Sequence, residues 1–95
     1  MMLVKIHEHG KIVTLCDSDL IGKKLEDDKF QLDITPRFYG GKEMKIEMTL
    51  TLLEDAETVN IAGKESIKFA IENNIISEDR VIYIQGVPHA QTFKL

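Results

Sequence analysis

The sequence predicts an α+β fold: a small, mostly antiparallel sheet with one long or broken helix packed on one face. β-rich runs stand near both ends of the chain, "LVKIHE" and "KIVTLCD" at the start and "VIYI" towards the finish. Between them, apolar residues recur at the three- and four-residue steps of a helix. The 95 residues suit one domain, residues 1–95, with a modest core.

The first two runs predict a hairpin with His9-Gly10 as its turn. A type I′ turn requires positive φ at both central residues, which glycine adopts freely and histidine tolerates better than most residues. The predicted register pairs Glu8 with Lys11, Ile6 with Val13 and Val4 with Leu15, and on the other face His7 with Ile12 and Leu3 with Cys16. His7 and Cys16 then lie about 13 Å apart, too far for a nucleophilic pair. His9 in the turn need not share a face with His7, so we expect no metal site.

A third strand is predicted at "FQLDI", whose apolar residues alternate until a proline ends the run. The loop before it begins at Asp17 and contains Gly22, which suits a tight turn. After it, Phe38 and Tyr39 precede two glycines. This pair of aromatics suggests either an anchored corner or a stacking platform.

The middle of the chain combines two patterns. Apolar residues alternate like a strand over residues 44–50, and then a helical stripe follows. That stripe comprises Leu52, Ala56, Val59, Gly63, Ile67, Ala70 and Asn74. A capping box at Thr51 and Glu54 would begin the helix, and Asn73-Asn74 would end it. The sequence leaves open whether residues 44–50 are strand or helix, and whether residues 49–74 are one helix or two.

Two residues on or beside this stripe are unusual for a packed helix. Gly63 costs about 1 kcal/mol against alanine there, so it either admits another backbone or splits the helix. A buried Asn60 must find hydrogen-bond partners, or it presents its amide to a ligand.

The chain ends with a fourth strand, residues 81–84, which we place beside the hairpin, and then "GVPHAQ". Holding these six residues still costs about 6–12 kcal/mol of conformational entropy, so the segment stays ordered only if it docks. It carries Gly86, Pro88, His89 and Gln91. His89 is the histidine suited to general acid/base work, because its ordinary pKa is near neutral pH.

Composition excludes several function classes. The net charge of −4 argues against a strongly basic nucleic-acid surface, although six of the twelve basic residues fall within residues 22–46. No apolar run is long enough to span a bilayer, and no signal peptide or disulfide pair is present, so we expect a cytoplasmic protein. There is no phosphate loop, serine elbow or metal cluster, and we expect no cofactor.

Five short pieces resemble an archaeal family of small proteins known only as a domain of unknown function. They are "KIHE", "LCDSDLIGK", "FYGG", "VNIAG" and "IQGVPHAQ", in this order along almost the whole chain. The chain departs from the family pattern at "KIEMTLT", where the family has an acidic run before its helix. The resemblance implies an archaeal protein without an assigned activity, in the company of translation genes.

Three functions follow as hypotheses. The first is a non-catalytic module that binds RNA or a translation-factor or ribosomal partner. Its surface would comprise Lys23, Lys24, Arg37, Phe38, Tyr39, Lys42, His89 and Gln91. The others are a protein-interaction module using the C-terminal strand and tail, and a small enzyme with His89 as general acid/base.

The ligand-binding candidates are Asn60, Gly63, Gly86, Pro88, His89, Gln91, Asp17, Gly22, Lys23, Phe38 and Tyr39. A site is favoured if these separate pieces meet around a cleft. Folding roles are favoured if each of them faces only core.

Overall fold

The structure, a computed structural model, describes residues 1–94. The strands are β1 (Met2–His7), β2 (Ile12–Asp17), β3 (Lys24–Glu26), β4 (Gln31–Asp33), β5 (Thr58–Ala62), β6 (Ile82–Ile84) and β7 (Val87–Phe93). The helices are α1 (Pro36–Tyr39), α2 (Ile46–Asp55) and α3 (Lys64–Glu72). Among the described residues, no helix is both long and apolar enough to cross a membrane.

Five strands form one sheet in the order β1-β2-β5-β7-β6, and β3 pairs with β4 in a separate two-stranded sheet. Only β2 and β5 run parallel; the other neighbours in the large sheet are antiparallel. The α+β class and the mostly antiparallel sheet are therefore confirmed. One core, on the face that α2 and α3 cover, contains Leu15, Leu53, Ile61 and Ile67. The other core contains Cys16, Ile34, Tyr39 and Ile84 and lies under α1 and the β3–β4 hairpin.

The N-terminal hairpin forms in the predicted register up to His7 and Ile12, but the predicted pair of Glu8 with Lys11 is wrong, because Glu8 belongs to the connecting turn. Ile6 pairs with Val13 and His7 with Ile12. His9 has φ +56° and ψ +34°, Gly10 has φ +92°, and the Lys11 amide donates to the Glu8 carbonyl at 3.2 Å. His9 and Gly10 have the positive φ values that a type I′ turn requires, and Glu8 before them has φ +51° as well. The hairpin was readable from sequence because its turn chemistry and its alternation agree.

The strand predicted at "FQLDI" is present as β4, but it belongs to the two-stranded sheet rather than to the large one. β4 pairs only with β3, a short strand that sequence alternation did not reveal. The loop between β2 and β3 turns at Gly22, which has φ +89° and donates its amide to the Ile34 carbonyl at 2.8 Å. This hydrogen bond joins the loop before β3 to the residue that follows β4.

The predicted helix across residues 58–62 is wrong: this segment is β5, between β2 and β7 at the centre of the sheet. A central strand is buried on both faces, so its apolar residues run without alternation, and here they happened to fall at helical spacing. Residues 46–50, which alternate like a strand, belong to α2, which begins after Lys45 rather than at Thr51 and has no side-chain capping hydrogen bond. The predicted helix end is close to the observed one, since Asn73 caps α3 and Asn74 has φ +58°.

The C-terminal strand is also displaced from its predicted position. β6 occupies the edge of the sheet farthest from the hairpin, because the tail itself forms β7 and inserts between β5 and β6. The tail is therefore docked, as a strand. Gln85 and Gly86, with φ +51° and +79°, make the tight turn that joins β6 to β7.

Candidate functional site

Several sequence-predicted candidates meet in a cleft where the parallel strands β2 and β5 end. The cleft has a volume of about 260 Å³. Its lining comprises Asp17, Asp19, Leu20, Lys23, Gly63, Lys64, Val87 and Pro88. The loop after β2, the start of α3 and the start of β7 thus come together, as a site would require.

Asp17 has a structural role in this cleft. Its side chain is 7% exposed and reaches across to the beginning of α3. One carboxylate oxygen accepts from the Glu65 amide at 3.0 Å; the other accepts from the amide and hydroxyl of Ser66 at 2.9 and 2.7 Å. The first turn of a helix has free amides, and a carboxylate there is stabilising. Asp17 therefore caps α3 although it belongs to β2, which is not the strand that precedes this helix.

Gly63 and Pro88 are explained by the same junction. Gly63 has φ +109°, and a Cβ at this position would overlap the Asp17 carboxyl group. Its amide donates to the Pro88 carbonyl at 2.9 Å. Pro88 has no N–H to return that bond, so the Gly63 carbonyl is free to accept from the Ile67 amide of α3 at 2.9 Å. The pair ends the β5–β7 ladder and starts the helix, so the cleft walls are accounted for by folding.

A second group of candidates lies on the opposite side of the sheet. Thr14, Asn60 and Gln91 are register partners on β2, β5 and β7, and Lys5 on β1 is the partner of Thr14. Adjacent strands are about 4.8 Å apart, so these four residues, which we call the polar row, span about 14 Å. The row lies on the face not covered by α2 and α3, where Gln91 is exposed, Lys5 is half-buried and Thr14 is fully buried.

Asn60 is the residue of the polar row that folding does not explain. It is 8% exposed in the central strand of the sheet. Within residues 1–94 its side-chain amide has no hydrogen-bond partner. No described buried side-chain nitrogen or oxygen is both sealed from solvent and without a partner, so the amide reaches the surface. Because its amide reaches the surface without a protein partner, Asn60 is free to bind solvent or a ligand.

One end of the polar row carries aromatic and basic groups. The rings of His7 and Phe38 stack with centroids 4.8 Å apart. The Phe38 carbonyl lies 2.9 Å from His7 Nε2 and accepts from the Thr14 hydroxyl at 3.2 Å. Because a carbonyl only accepts, His7 Nε2 carries a proton in this contact. Lys5 donates its ammonium group to the Arg37 carbonyl, and an open cleft of about 360 Å³ adjoins these side chains.

Phe38 and Tyr39 differ in their burial. Tyr39 is 4% exposed and packs edge-on against Phe38, so it anchors the corner. Burial raises the pKa of its hydroxyl to about 12. Phe38 is half-buried and stacked on His7, beside the polar row. Tyr39 cannot serve as a stacking platform.

His89 lies on the same face as the polar row, two residues before Gln91 on β7. Its register partners are Ala62 and Ile82, so it lies over the edge of the second core. Burial lowers the pKa of His89, which keeps the ring neutral near pH 7. Cys16 is fully buried, and burial raises the pKa of its thiol to about 12, so it is held as an unreactive thiol.

The remaining candidates lie apart from the polar row. Gly22 and Gly86 are exposed turn residues with open space around them. Lys23 lines the cleft at the start of α3. Sequence reasoning missed Lys5 and Thr14 as site residues. The correct hairpin register already placed them opposite each other, but their relation to Asn60 required recognising β5 as a strand.

Comparisons with known proteins agree with this fold and do not assign an activity. A family model described as "Protein of unknown function (DUF424)" matches residues 4–95. The crystal structure of an uncharacterized conserved protein from Methanopyrus kandleri is similar, with 28% identity and a TM-score of 0.77. The alignment covers 99% of this chain and 91% of that chain. No curated protein shows significant similarity to this sequence.

Proposed function

Since the chain belongs to the DUF424 family, whose function is unknown, we propose its function from its own surface: a non-catalytic module that binds single-stranded RNA through Asn60 and Gln91 of the polar row. The observation that carries this proposal is the nearly buried, unpartnered amide of Asn60. An amide offers two donors and one acceptor, which suits the edge of an unpaired base. Gln91 is exposed beside it and offers the same groups.

The surroundings of Asn60 supply the other elements of single-strand recognition. Aromatic rings stand at both ends of the neighbouring row of side chains, His7 stacked on Phe38 at one end and Phe93, 66% exposed, at the other. Exposed aromatic faces stack bases regardless of sequence. Lys5 and Arg37 lie at the Phe38 end, where cations would meet phosphate. The resemblance described from the sequence implies the company of translation genes, and on that expectation we propose RNA as the nucleic acid.

Two residues of the RNA-binding surface predicted from the sequence lie away from the polar row. Tyr39 is buried and Lys23 lines the cleft beside α3, so neither belongs to the polar row. Lys5 and Arg37 are the cations placed beside the polar row and the net charge is −4, so binding should be modest and salt-sensitive.

The polar row does not offer an evident catalytic centre. His89 is neutral and half-buried, and within residues 1–94 no carboxylate or hydroxyl is hydrogen-bonded to its ring. A general acid/base needs a partner within hydrogen-bond reach of a reacting group. The enzyme hypothesis therefore ranks below binding.

The test is fluorescence anisotropy with a labelled eight-nucleotide RNA of mixed sequence at 50 and 200 mM salt. Asn60→Ala should weaken binding about tenfold, the effect of losing one or two hydrogen bonds worth about 1.4 kcal/mol together. Arg37→Ala should reduce the slope of log K against log[salt] by about one unit, the contribution of one phosphate contact. The same sequence as DNA reports whether the 2′-hydroxyl matters.

The matched control is Lys68→Ala, which removes an exposed cation from α3 on the opposite face. It should leave RNA binding unchanged. No binding of the RNA at 50 mM salt, or equal losses in Asn60→Ala and Lys68→Ala, would refute the proposal.

A further inference from the structure

Half of β7 has no neighbour on one side. β6 pairs with β7 only as far as Ile82 opposite His89. Even-numbered residues of β7 bond towards β5, as the Pro88 carbonyl and the Lys94 amide show by their bonds to Gly63 and Glu57. The backbone N–H and C=O groups of Gln91 and Phe93 therefore point to the vacant side. Within residues 1–94 these groups have no hydrogen-bond partner.

The chain before β6 turns away from this edge. Residues 78–80 form a single 3₁₀ turn, in which the Arg80 amide donates to the Ser77 carbonyl at 3.0 Å and the Val81 amide to the Glu78 carbonyl at 3.1 Å. A groove of about 420 Å³ opens between this turn and β7. Its lining comprises Ile75, Ile76, Ser77, Arg80, Gln91, Thr92 and Phe93.

The two edges of the large sheet are treated differently. On β1, at the other edge, Val4 exchanges both backbone bonds with Lys42, at 2.8 and 3.0 Å, so that edge is partly covered. The β7 edge carries Gln91, Thr92 and Phe93, with neither proline nor a charged side chain. Natural sheets usually protect such an edge, because unpaired strand groups recruit another strand.

We propose that this groove binds an extended peptide segment of a partner protein. The peptide pairs with Gln91 and Phe93 of β7 and lies in line with β6, where β6 itself has ended. The alternating donors and acceptors of the edge match an extended backbone, and the adjoining groove takes its side chains. Ile75 and Ile76 are half-buried and present apolar surface to one of them. Arg80 is exposed in the same groove and favours an acidic residue in the peptide.

The proposal is independent of RNA binding, because it uses the backbone of Gln91 rather than its side chain. Gln91→Pro removes the edge-facing N–H without touching a bond to β5, and proline is tolerated on a strand edge for that reason. Gln91→Ala removes the side chain and keeps the N–H, so it is the matched control. The difference between the two variants isolates one backbone donor.

The probe is the blocked peptide acetyl-Thr-Val-Glu-Val-Thr-amide, titrated by NMR while amide hydrogen exchange is followed. We expect the amides of Gln91 and Phe93 to become protected, binding to be equal within about twofold in wild type and Gln91→Ala, and about tenfold weaker in Gln91→Pro. Replacing the peptide's Glu with Gln should weaken binding to wild type but not to Arg80→Ala.

If Gln91→Pro fails to fold, peptides N-methylated at single residues replace it, since methylation on the paired side alone should abolish binding. Equal binding to Gln91→Pro and Gln91→Ala, or unprotected Gln91 and Phe93 amides at millimolar peptide, overturns the proposal. Protection of these amides that grows with protein concentration in the absence of peptide also overturns it, because the edge would then pair with a second copy. Loss of RNA binding in Gln91→Ala with peptide binding intact separates this site from the polar row.

Discussion

Asp17→Ala offers the sharpest test of how β2 and α3 are joined. The side chain is almost fully buried and accepts three hydrogen bonds from the first turn of α3, two from backbone amides and one from Ser66. Alanine leaves both amides and the hydroxyl without an acceptor at a site that little water reaches. The helix also loses the negative charge next to its N-terminus.

The expected loss of unfolding free energy is about 3 kcal/mol. Removing a side-chain cap costs about 0.5–2 kcal/mol, and a hydrogen bond to a charged group contributes about 1.5–3 kcal/mol, although the three bonds here share one carboxylate and do not add. For a domain of this size, 3 kcal/mol lowers Tm by about 12–24 °C. Asp17→Asn should lose about 1–2 kcal/mol, because its NH₂ group would face the Glu65 amide.

Urea unfolding followed by circular dichroism measures these changes, with thermal unfolding as a second readout. Asp19→Ala is the matched control: this carboxylate lies in the same loop, is exposed, and should change stability by less than about 0.5 kcal/mol. Ser66→Ala should cost about 1 kcal/mol in wild type and much less in Asp17→Ala. An Asp17→Ala protein within 0.5 kcal/mol of wild type, or additive losses in the double variant, would show that the carboxylate does not hold α3.

Three further predictions concern the polar row and the second core. Asn60→Leu should raise the unfolding free energy by about 1 kcal/mol while weakening RNA binding, because an unpartnered amide is replaced by an apolar group of similar size; a loss above 1 kcal/mol in urea unfolding would contradict this. Cys16 should resist thiol reagents in the native protein and react fully in 6 M guanidinium; reaction within minutes without denaturant would argue against its burial and raised pKa. The folded pKa of His89 is lowered, so the unfolded chain binds its proton first and stability should fall as pH drops from about 6.5 towards the folded pKa. Above pH 6.5 the stabilities of His89→Gln and wild type should depend on pH in the same way, and below pH 6.5 only wild type should lose stability through His89. Equal slopes of stability against pH in both proteins below pH 6.5 would rule out this contribution.

Local chemistry determined the parts of the fold that sequence reasoning predicted correctly. The register of β1 and β2 follows from His9-Gly10 and from an alternation that places one face in the core. The end of α3 at Asn73 and Asn74 follows from the left-handed conformation that asparagine accepts. In each case the deciding residues are neighbours in sequence, so no distant contact was needed.

Tertiary packing decided the identity of β5. Strand propensity and helical spacing compete over residues 58–62, and burial on both faces between β2 and β7 selects the strand. The same choice moves Asn60 from a helix into register with Thr14 and Gln91. Since strands distant in sequence supply that row, spacing along the chain could not reveal it.

The "GVPHAQ" segment combines both kinds of information. Its sequence alone required that it dock, because ordering six residues without contacts is too costly, and it singled out Pro88 and His89 as unusual. Only the sheet showed that Pro88 ends the ladder so that Gly63 can begin α3, and that Gln91 faces a neighbour on one side alone. Those roles depend on which backbone lies alongside, and that is a property of the folded chain rather than of any segment within it.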